Sequence, residues 1–272
     1  MFSRSQNTDE EHSKAVVALN ASYRGKRGYT YFLLQKICAG VVEAGGNCEI
    51  LNLVEYKIKR CVACNVCHTA ENFLHCTHET RDDVLTIFNK MREADIVIYG
   101  TPVYVFNISA LLKMLLERMY AISDTHDLRL SKSGYVFHHV DKQVCSKPFV
   151  SVVTCDSLEY AMPSVAQQYF RQFSRFMDAP QIGGLVRNGG YISGYGQDTR
   201  KMGQFPRLRQ VYAAYRQAGR ELVHTEHISR RTMRRANQEI IPLPLFGLLK
   251  RLRFFKPKIL TKARAYMDKD PE

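Results

Sequence analysis

Four cysteines stand close together in this chain, at Cys61, Cys64, Cys67 and Cys76. Two residues separate each of the first three, and this spacing brings successive thiolates to one side of a tight loop. Three such ligands from one loop, closed by a fourth nearby, match the geometry of a [4Fe–4S] cluster. Structural zinc more often takes CxxC pairs from two separate knuckles. The spacing therefore favours a cluster, with a zinc site and a cysteine-rich loop that binds nothing as the alternatives.

The composition is that of a soluble globular protein with one sizeable core. Of the 272 residues, 45% are apolar and 24% are charged, and no run approaches the ~18–20 apolar residues of a membrane span. The first 14 residues are polar and acidic and lack the apolar centre of a signal peptide. We therefore expect a cytoplasmic protein with reduced thiols, in which the scattered cysteines are mostly small core residues: Cys38, Cys48, Cys145 and Cys155.

Strand-like and helix-like apolar segments alternate along the chain. Strands are predicted in AVVALN (15–20), NCEILNL (47–53), DIVIYG (95–100), KPFVSVVT (147–154) and APQIGGLVRNGG (179–190). Helices are predicted in TYFLLQKICAGVVEAGG (30–46), up to Met91 with Asp82 or Asp83 as the cap, in SALLKMLLERMY (109–120) with Ser109 as the cap, from Pro163 onward, and over 206–223. This alternation predicts a parallel sheet covered on both faces. Such sheets bind ligands at the carboxyl ends of their strands, so the loops after the first four strands should converge on one site.

The loop after the first strand, NASYRGKRGYT (20–30), is basic and rich in hydroxyl groups. It contains neither of the glycine patterns of a dinucleotide fingerprint or a nucleoside-triphosphate loop. Hydroxyl groups, backbone N–H groups and the positive end of a helix dipole favour a phosphate monoester here. The alternative is a solvated basic turn. The candidate phosphate ligands are Ser22, Arg24, Lys26, Arg27, Gly28 and Thr30.

The loop after the third strand, GTPVYVF (100–106), brings apolar and aromatic residues to the same edge of the sheet. Its candidate ligand residues are Thr101, Pro102, Val103, Tyr104 and Phe106. A loop of this kind suits a flat, mostly apolar ring system. Ordinary packing of the two aromatic rings is the alternative.

These segments resemble the NADPH-dependent FMN reductase-like flavoproteins. The resemblance rests on the phosphate loop between Ser22 and Thr30, the CxxCxxC loop after the second strand, and ADIVIYGTPVYVFNISALLKMLLERMY (94–120). Within that flavodoxin-like group, the complete set of four cysteines is most similar to the iron–sulfur flavoproteins. The resemblance covers residues 14–125 well and residues 147–223 loosely.

The resemblance implies an α/β fold, a flavodoxin-like doubly wound five-stranded parallel sheet, with FMN as cofactor and NAD(P)H as a donor. It implies that the FMN phosphate lies on Ser22, Arg24, Lys26, Gly28 and Thr30, and that the ring lies against Thr101, Pro102, Val103, Tyr104 and Phe106. After the fourth strand, Thr154, Cys155 and Asp156 would touch the pyrimidine side of the flavin. Eight residues separate Cys67 from Cys76, more than is usual in iron–sulfur members, so His75 and His78 are alternative fourth ligands.

The chain is expected to divide into three parts. Residues 1–13 form a disordered N-terminus, residues 14–228 the FMN-binding domain, and residues 229–272 a basic, amphipathic, helical C-terminal extension. Within the domain, residues 57–80 form the cysteine loop. Residues 123–146 are a candidate lid or small hairpin over the flavin.

The C-terminal extension supplies much of the net charge of +13. From Arg230 onward, twelve lysines and arginines stand against four acidic residues. The apolar stretch IIPLPLFGLLKRLRFF (240–255) has basic edges, which suits a subunit interface, a partner helix or an anionic membrane surface. An apolar arm packed on its own domain is the alternative.

We therefore predict an FMN-dependent oxidoreductase that passes electrons between a reduced donor, FMN and a [4Fe–4S] cluster, without an acid–base dyad of its own. One alternative is a cluster-free NAD(P)H-dependent FMN or quinone reductase that keeps the cysteines as a structural loop. Another is a non-catalytic redox sensor whose basic tail binds membrane or nucleic acid, although no aromatic–basic interleaving supports the latter. The expected partners are a small-molecule or protein electron donor and acceptor, and a second copy of the chain; nucleic acid is not expected.

Overall fold

A parallel sheet of five strands forms the centre of the protein. The computed structural model describes residues 13–159, 161–190, 205–240 and 252–267. Its strands are β1 (Ala15–Asn20), β2 (Asn47–Asn52), β3 (Ile96–Pro102), β4 (Ser123–Leu130), β5 (Val136–Val140), β6 (Phe149–Thr154) and β7 (Gln181–Arg187). Five of them pair in the order β2-β1-β3-β6-β7, all parallel. This is the flavodoxin-like doubly wound order, so the predicted fold class is confirmed.

The burial of each strand follows its place in the sheet. The central strands β1, β3 and β6 are apolar and buried almost throughout, because helices cover both faces of the sheet. The edge strands β2 and β7 alternate between more and less buried positions over much of their length. Continuous apolar runs therefore mark the interior of the sheet and alternation marks its edges.

Helices cover both faces of the sheet. They are α1 (Tyr29–Glu43), α2 (Val84–Glu93), α3 (Ala110–Glu117), α4 (Lys142–Cys145), α5 (Ser164–Met177), α6 (Arg207–His224), α7 (Arg230–Ala236) and α8 (Lys256–Met267). One core cluster contains apolar side chains of α2, α3 and α5, and the other those of α1 and α6. Helices α1 and α6 approach closely at Gly40 and Gly219, which have no side chain. A Cβ at either position would collide with the backbone of the opposite helix. The helix predicted over 206–223 is present as α6.

Two helix starts can be compared with their predicted caps. Ser109 caps α3 as predicted, since its hydroxyl accepts a hydrogen bond from the Leu112 N–H at 3.2 Å. Asp83 occupies the N-cap position of α2, but its side chain makes no cap hydrogen bond. Its carboxylate instead accepts the Lys57 N–H at 2.7 Å, which ties the start of the cysteine loop to α2.

Residues 123–146 contain the predicted hairpin, formed by the antiparallel strands β4 and β5 and followed by α4. Arg129 forms an ion pair with Asp178, the residue that ends α5, and the ring of Tyr135 stacks on Phe176 at 4.6 Å between centroids. On its other side, His126 lies 6.5 Å from His68 of the cysteine loop, measured between ring centroids. The hairpin therefore packs on α5 and beside the cysteine loop, and a lid role remains a prediction.

The scattered cysteines separate into two kinds. Cys145 and Cys155 are buried free thiols, as expected of small core residues. Cys38 in α1 and Cys48 in β2 instead form a disulfide that joins this helix to an edge strand. The expectation of reduced core thiols thus needs correction for this pair, which the sequence did not reveal because its partners lie on different elements.

Parts of two predictions lie outside the described residues. These are residues 1–12 of the predicted disordered N-terminus and residues 241–251 of the apolar arm. Among the helices that the structure does describe, none has both the length and the apolar character needed to cross a membrane.

Candidate functional site

Three loops with predicted ligand residues meet at the carboxyl edge of the sheet. The Ala21 N–H bonds the Gly100 carbonyl at 2.8 Å, joining the loops after β1 and β3. The Val103 N–H bonds the Thr154 carbonyl at 2.7 Å, joining the loops after β3 and β6. The hydroxyl oxygens of Thr30 and Thr154 lie 2.7 Å apart and join the loop after β1 to the end of β6. The predicted convergence is therefore present for three of the four loops, at the switch point between β1 and β3. The prediction was wrong for the loop after β2, whose cysteines line a pocket of their own.

The loop after β1 is organised around small buried groups. A Cβ on Gly28 would lie 2.5 Å from the Ser22 Oγ and 3.3 Å from the Gly25 carbonyl oxygen, so a larger residue there would displace Ser22. The Ser22 Oγ accepts the Arg24 N–H at 3.2 Å, and the Asn20 amide donates to the Gly25 carbonyl at 3.1 Å. These contacts make a narrow backbone cradle of the kind that accommodates a phosphate group.

The charges around this cradle suit an anion. Arg24 and Lys26 are exposed, and Lys26 has only a long ion pair of 3.8 Å with Glu55. Helix α1 begins directly after Gly28, without a side-chain cap and without an acidic residue in its first turn. No carboxylate within the first turn of α1 therefore offsets the positive end of its dipole, and the loop fits the phosphate of a mononucleotide.

The loop after β3 forms a tight turn with exposed apolar side chains. Tyr104 and Asn107 exchange backbone hydrogen bonds, and Val105 and Phe106 between them have φ values of 46° and 70°. Positive φ is strained for a β-branched residue such as valine, and strain of this kind concentrates at ligand sites. Phe106 is 58% exposed and Tyr104 39% exposed, so both rings are accessible to a planar ligand.

Tyr23 was not singled out in the sequence, although it lies in the phosphate loop. Its ring stacks on Tyr104 at 6.0 Å between centroids and at an interplanar angle of 29°. The pair joins the phosphate loop to the ring loop, so the two predicted halves of the flavin site form one surface. The sequence signal that could have predicted this contact was an aromatic residue within the phosphate loop, between Ser22 and Arg24.

The other predicted ligands divide into supporting and accessible groups. Thr101 is fully buried, and its hydroxyl accepts the Ser109 N–H at 2.9 Å, so it supports the start of α3. Thr30 and Thr154 are likewise buried and bonded to each other. Pro102 and Val103 are half-buried at the edge of the sheet. The predicted threonines are therefore buried and support the loops of the site through hydrogen bonds within the protein.

Asp156 lies beside the phosphate loop. Surrounding protein raises the pKa of its carboxyl group, and the nearby Arg24 guanidinium opposes this rise. Its neighbour Cys155 is buried, with its N–H bonded to the Arg187 carbonyl at 2.8 Å. Asp156 is exposed, so it is the one of the three predicted residues at the end of β6 and just after it that a ligand can reach.

The four predicted cysteine ligands line one shared surface pocket. Two of its walls come from the cysteine loop, and the third comes from Arg118, Tyr120 and Ala121 after α3. No residue of the loops after β1, β3 or β6 lines it. The structure therefore brings together Cys61, Cys64, Cys67 and Cys76, apart from the flavin candidates.

The backbone around Cys64 explains how these cysteines converge. Ala63 and Asn65, on either side of it, have positive φ values of 52° and 58°. Two left-handed residues so close together turn the chain sharply, at a cost that the surrounding structure must offset. Cys67 is buried, and burial together with the facing Cys76, Cys64 and Cys61 raises the pKa of its thiol.

Two histidines were alternatives to Cys76 as the fourth ligand. His78 lines the pocket, and its Nδ1 is buried with no hydrogen-bond partner among the described residues. His75 does not line the pocket, and its Nδ1 lies 3.0 Å from the Glu79 carboxylate. Cys76 and His78 therefore both reach the pocket, whereas His75 lies outside its lining.

A single metal ion is a separate question from a cluster. Within the described ranges, no group of three or more histidine, cysteine, aspartate or glutamate side chains is arranged to hold an ion. A [4Fe–4S] cluster takes one cysteine on each of four irons, so its ligands stand further apart than those of one ion. Four cysteines around a shared pocket fit that donor set better than a zinc site.

Arg118 is a pocket residue that the sequence prediction missed. It is 3% exposed, and it stands three residues after Leu115 and seven after Leu111. These spacings lie on the apolar stripe of a helix, so a cation at this position was a detectable signal.

The fold and the loops at its switch point define a flavodoxin-like, FMN-binding type of protein. The sequence profile of NADPH-dependent FMN reductases matches residues 15–186, more than half of the chain. The chain therefore belongs to the NADPH-dependent FMN reductase family, a family of FMN-dependent oxidoreductases. Membership supports FMN as the cofactor of the converging loops.

Two archaeal iron–sulfur flavoproteins are similar to part of the chain. That of Archaeoglobus fulgidus is 36% identical over 103 residues, which are 38% of this chain and 47% of the relative. One from Methanocaldococcus jannaschii is 33% identical over 121 residues, which are 44% of this chain and 60% of the relative. The chain thus spans about half the length of the curated relatives it matches.

Solved structures share the fold at low sequence identity. An FMN-dependent NADH-azoreductase from Bacillus anthracis has a TM-score of 0.54 at 11% identity, over 77% of this chain and 99% of the azoreductase. An NAD(P)H:quinone oxidoreductase from Methanothermobacter marburgensis has a TM-score of 0.50 at 16% identity, over 79% of this chain and all of that one. At these identities the likeness shows the fold alone.

Proposed function

We propose that this protein is an iron–sulfur flavoprotein that passes electrons between a reduced donor, FMN and a [4Fe–4S] cluster. The observation that carries the proposal is the single pocket lined by all four cysteines, in a chain of an FMN reductase family. NAD(P)H is the proposed donor. The similarity to the archaeal iron–sulfur flavoproteins supports the same assignment.

The loops at the carboxyl edge would hold FMN. Arg24, Lys26 and the backbone cradle at Gly28 would bind its phosphate, while Tyr104 and Phe106 would contact its ring. When bound, FMN accepts two electrons from a nicotinamide and can release them one at a time. The residues of the chain would bind and orient the cofactor. The buried Thr30 and Thr154 hold two of the loops together by their hydroxyl contact, and Asp156 would face the pyrimidine side of the flavin.

The cysteine pocket would hold the cluster through Cys61, Cys64, Cys67 and Cys76. A cluster with four thiolate ligands supplies a one-electron relay when bound. Tyr120 and Ala121 would form the wall opposite the cysteine loop.

A cluster-free FMN or quinone reductase is the second candidate. Its support is the exposed aromatic surface of Tyr23, Tyr104 and Phe106, which offers stacking area for a planar acceptor without any cluster. In that case the four cysteines would serve as a structural loop.

The absorption spectrum and iron content of protein purified without oxygen separate the two candidates. Flavin bands with a broad iron–sulfur shoulder, iron and acid-labile sulfide support the flavoprotein with a cluster. Flavin bands without iron support the plain reductase. A colourless protein that cannot be reconstituted with FMN contradicts both.

The identity of the fourth ligand can be tested with two substitutions. Cys76→Ser is expected to lower the iron content markedly, because a serine hydroxyl is a far weaker ligand than a thiolate. His78→Ala is expected to leave iron unchanged, since Cys76 completes the set. Iron per FMN, measured after anaerobic reconstitution, checks both. Full iron in Cys76→Ser together with loss in His78→Ala would make His78 the ligand, and His75→Ala is the matched control.

We also propose that the segment before and within α8 docks on an anionic membrane surface. Leu252, Phe254 and Leu260 are 46%, 74% and 55% exposed, beside the cations Arg253 and Lys258. The Lys258 ammonium lies 5.3 Å from the centroid of the Phe254 ring. Exposed apolar residues among lysines and arginines complement the acyl chains and acidic headgroups of such a surface.

Removing two charges tests this docking. Lys256→Ala with Lys258→Ala is expected to weaken binding to phosphatidylserine vesicles by about 2 kcal/mol, roughly 30-fold, at about 1 kcal/mol per basic residue. Vesicle sedimentation at low and high salt measures it. The double variant Lys132→Ala with Arg171→Ala, which removes two exposed cations elsewhere, should bind as wild type. Unchanged binding in the first variant, or a change in oligomeric state instead, would contradict the membrane proposal.

A further inference from the structure

A buried ion pair closes the base of the cysteine loop. Arg118 pairs with Asp82, and both side chains are almost completely buried, at 3% and 0% exposure. The same guanidinium Nη1 donates to the Lys59 carbonyl at 3.1 Å, while the Asp82 carboxylate accepts the Lys59 N–H at 3.2 Å. Arg118, which directly follows α3, therefore contacts both the start of the cysteine loop at Lys59 and its end at Asp82.

The neighbouring residues repeat this closure through the backbone. The Asp83 carboxylate accepts the Lys57 N–H, and the Asp83 N–H donates to the Lys57 carbonyl at 2.8 Å. All four cysteines lie between these two tied ends, in residues 60–81. The loop is thus a closed unit whose only buried cation in the pocket wall is Arg118, among the residues that the structure describes.

One of the hydrogen-bond donors of Arg118, its Nε–H, has no acceptor among the described residues. The Nε atom is also buried. Leaving a buried N–H unpaired is costly, and guanidinium donors bind anionic groups strongly. The pocket offers this N–H the sulfur atoms of the cysteines, or of what they ligate, beside the side-chain acceptors of Asn65, Thr77, His78 and Tyr120. The sulfur atoms become the anionic acceptors once the cysteines bind a cluster, and a guanidinium donor favours an anionic acceptor.

An unpaired Nε is not diagnostic alone, because Arg129 shows the same arrangement. Arg129 pairs with Asp178, donates to the Phe176 carbonyl at 3.0 Å, and also has an unpaired buried Nε. It does not line the cysteine pocket. The position of Arg118 in the pocket wall therefore distinguishes it, and Arg129 supplies a matched control.

We propose that Arg118 is a positioning residue for the cluster: it holds the cysteine loop closed through Asp82 and donates its Nε–H to a sulfur in the pocket. The inference rests on the proposed [4Fe–4S] cluster. A hydrogen bond and a positive charge beside a cluster stabilise its more negative, reduced form. Arg118 therefore raises the reduction potential of the cluster and slows the loss of iron.

The test compares Arg118→Lys with Arg129→Lys in the full-length holoprotein. Lysine keeps the charge and the ion pair to the carboxylate but removes the planar fork with its Nε–H. Arg118→Lys is expected to shift the cluster midpoint potential to a more negative value and to weaken iron retention against a chelator about 10–100-fold. Arg129→Lys should match wild type in both. Potentials are followed by spectroelectrochemistry, with the FMN potential unchanged in each.

Equal potentials and equal iron retention in the two lysine variants would overturn the inference. If Arg118→Lys does not fold, the pair is replaced as a whole by Arg118→Met with Asp82→Asn, which leaves no buried charge. That variant should show the same negative shift in potential, and a wild-type potential in it overturns the proposal. If the wild-type protein contains no iron, the cluster proposal itself is overturned. The iron content of the wild type is therefore measured before any Arg118 variant is made.

Discussion

Cys64→Ser is expected to abolish stable iron binding while FMN remains bound. Serine does not supply a thiolate, and Cys64 is the central member of the three-residue-spaced set. FMN should stay because none of its candidate ligands lines the cysteine pocket. Iron and FMN contents per chain, with the visible spectrum under anaerobic conditions, measure both outcomes. Reduction of FMN by the donor should persist, and delivery to one-electron acceptors should slow.

A second cysteine provides the control for this result. Cys145 is also a free cysteine but lies in the core as the last residue of α4, where burial raises the pKa of its thiol to about 12. Cys145→Ser is therefore expected to affect stability alone and to leave the iron content as in wild type. Loss of iron in both variants would indicate general misfolding, and retention of iron in Cys64→Ser would remove Cys64 from the ligand set.

Gly28→Ala is expected to abolish FMN binding while the folded core remains intact. The new Cβ would lie 2.5 Å from the Ser22 Oγ, so the phosphate cradle must open or shift. Arg24→Ala should have a smaller effect, about 1.5–3 kcal/mol for a hydrogen bond to a charged group, or roughly 10–100-fold in Kd. Fluorescence titration of the apoprotein with FMN measures the affinities, and circular dichroism checks the fold.

Two controls keep this prediction specific. At Gly184 in β7 the nearest atom to a new Cβ is 3.5 Å away, so Gly184→Ala should bind FMN normally. Arg171 is an exposed arginine on α5, so Arg171→Ala controls for the loss of one positive charge. Wild-type affinity in both Gly28→Ala and Arg24→Ala would place the FMN phosphate elsewhere.

Much of the fold could be predicted because each element carries its own local signal. The first strand was predicted as Ala15–Asn20 and has those bounds, since a continuous apolar run marks a central strand. Helix α3 begins at its predicted serine cap. The alternation of such elements left the parallel five-stranded sheet as the natural arrangement. Local pattern was sufficient wherever the determining residues are neighbours in the chain.

Parts of the candidate flavin site were beyond local pattern. The sequence placed Thr30 and Thr154 at the same edge, but not the hydroxyl contact between them, which spans 124 residues. The stacking of Tyr23 on Tyr104 joins two different loops in the same way. Such contacts depend on strand order and on the turn of each loop, which no single segment specifies.

The cysteine site shows the same division most clearly. The sequence by itself determined the number and spacing of the cysteines, and thereby the kind of ligand set they can form. Only the tertiary structure decided that Cys76 reaches the pocket despite its long spacing, and that Arg118 closes the loop from another element. Spacing is a property of one segment, whereas a pocket wall forms only when strand order and helix packing bring distant segments together.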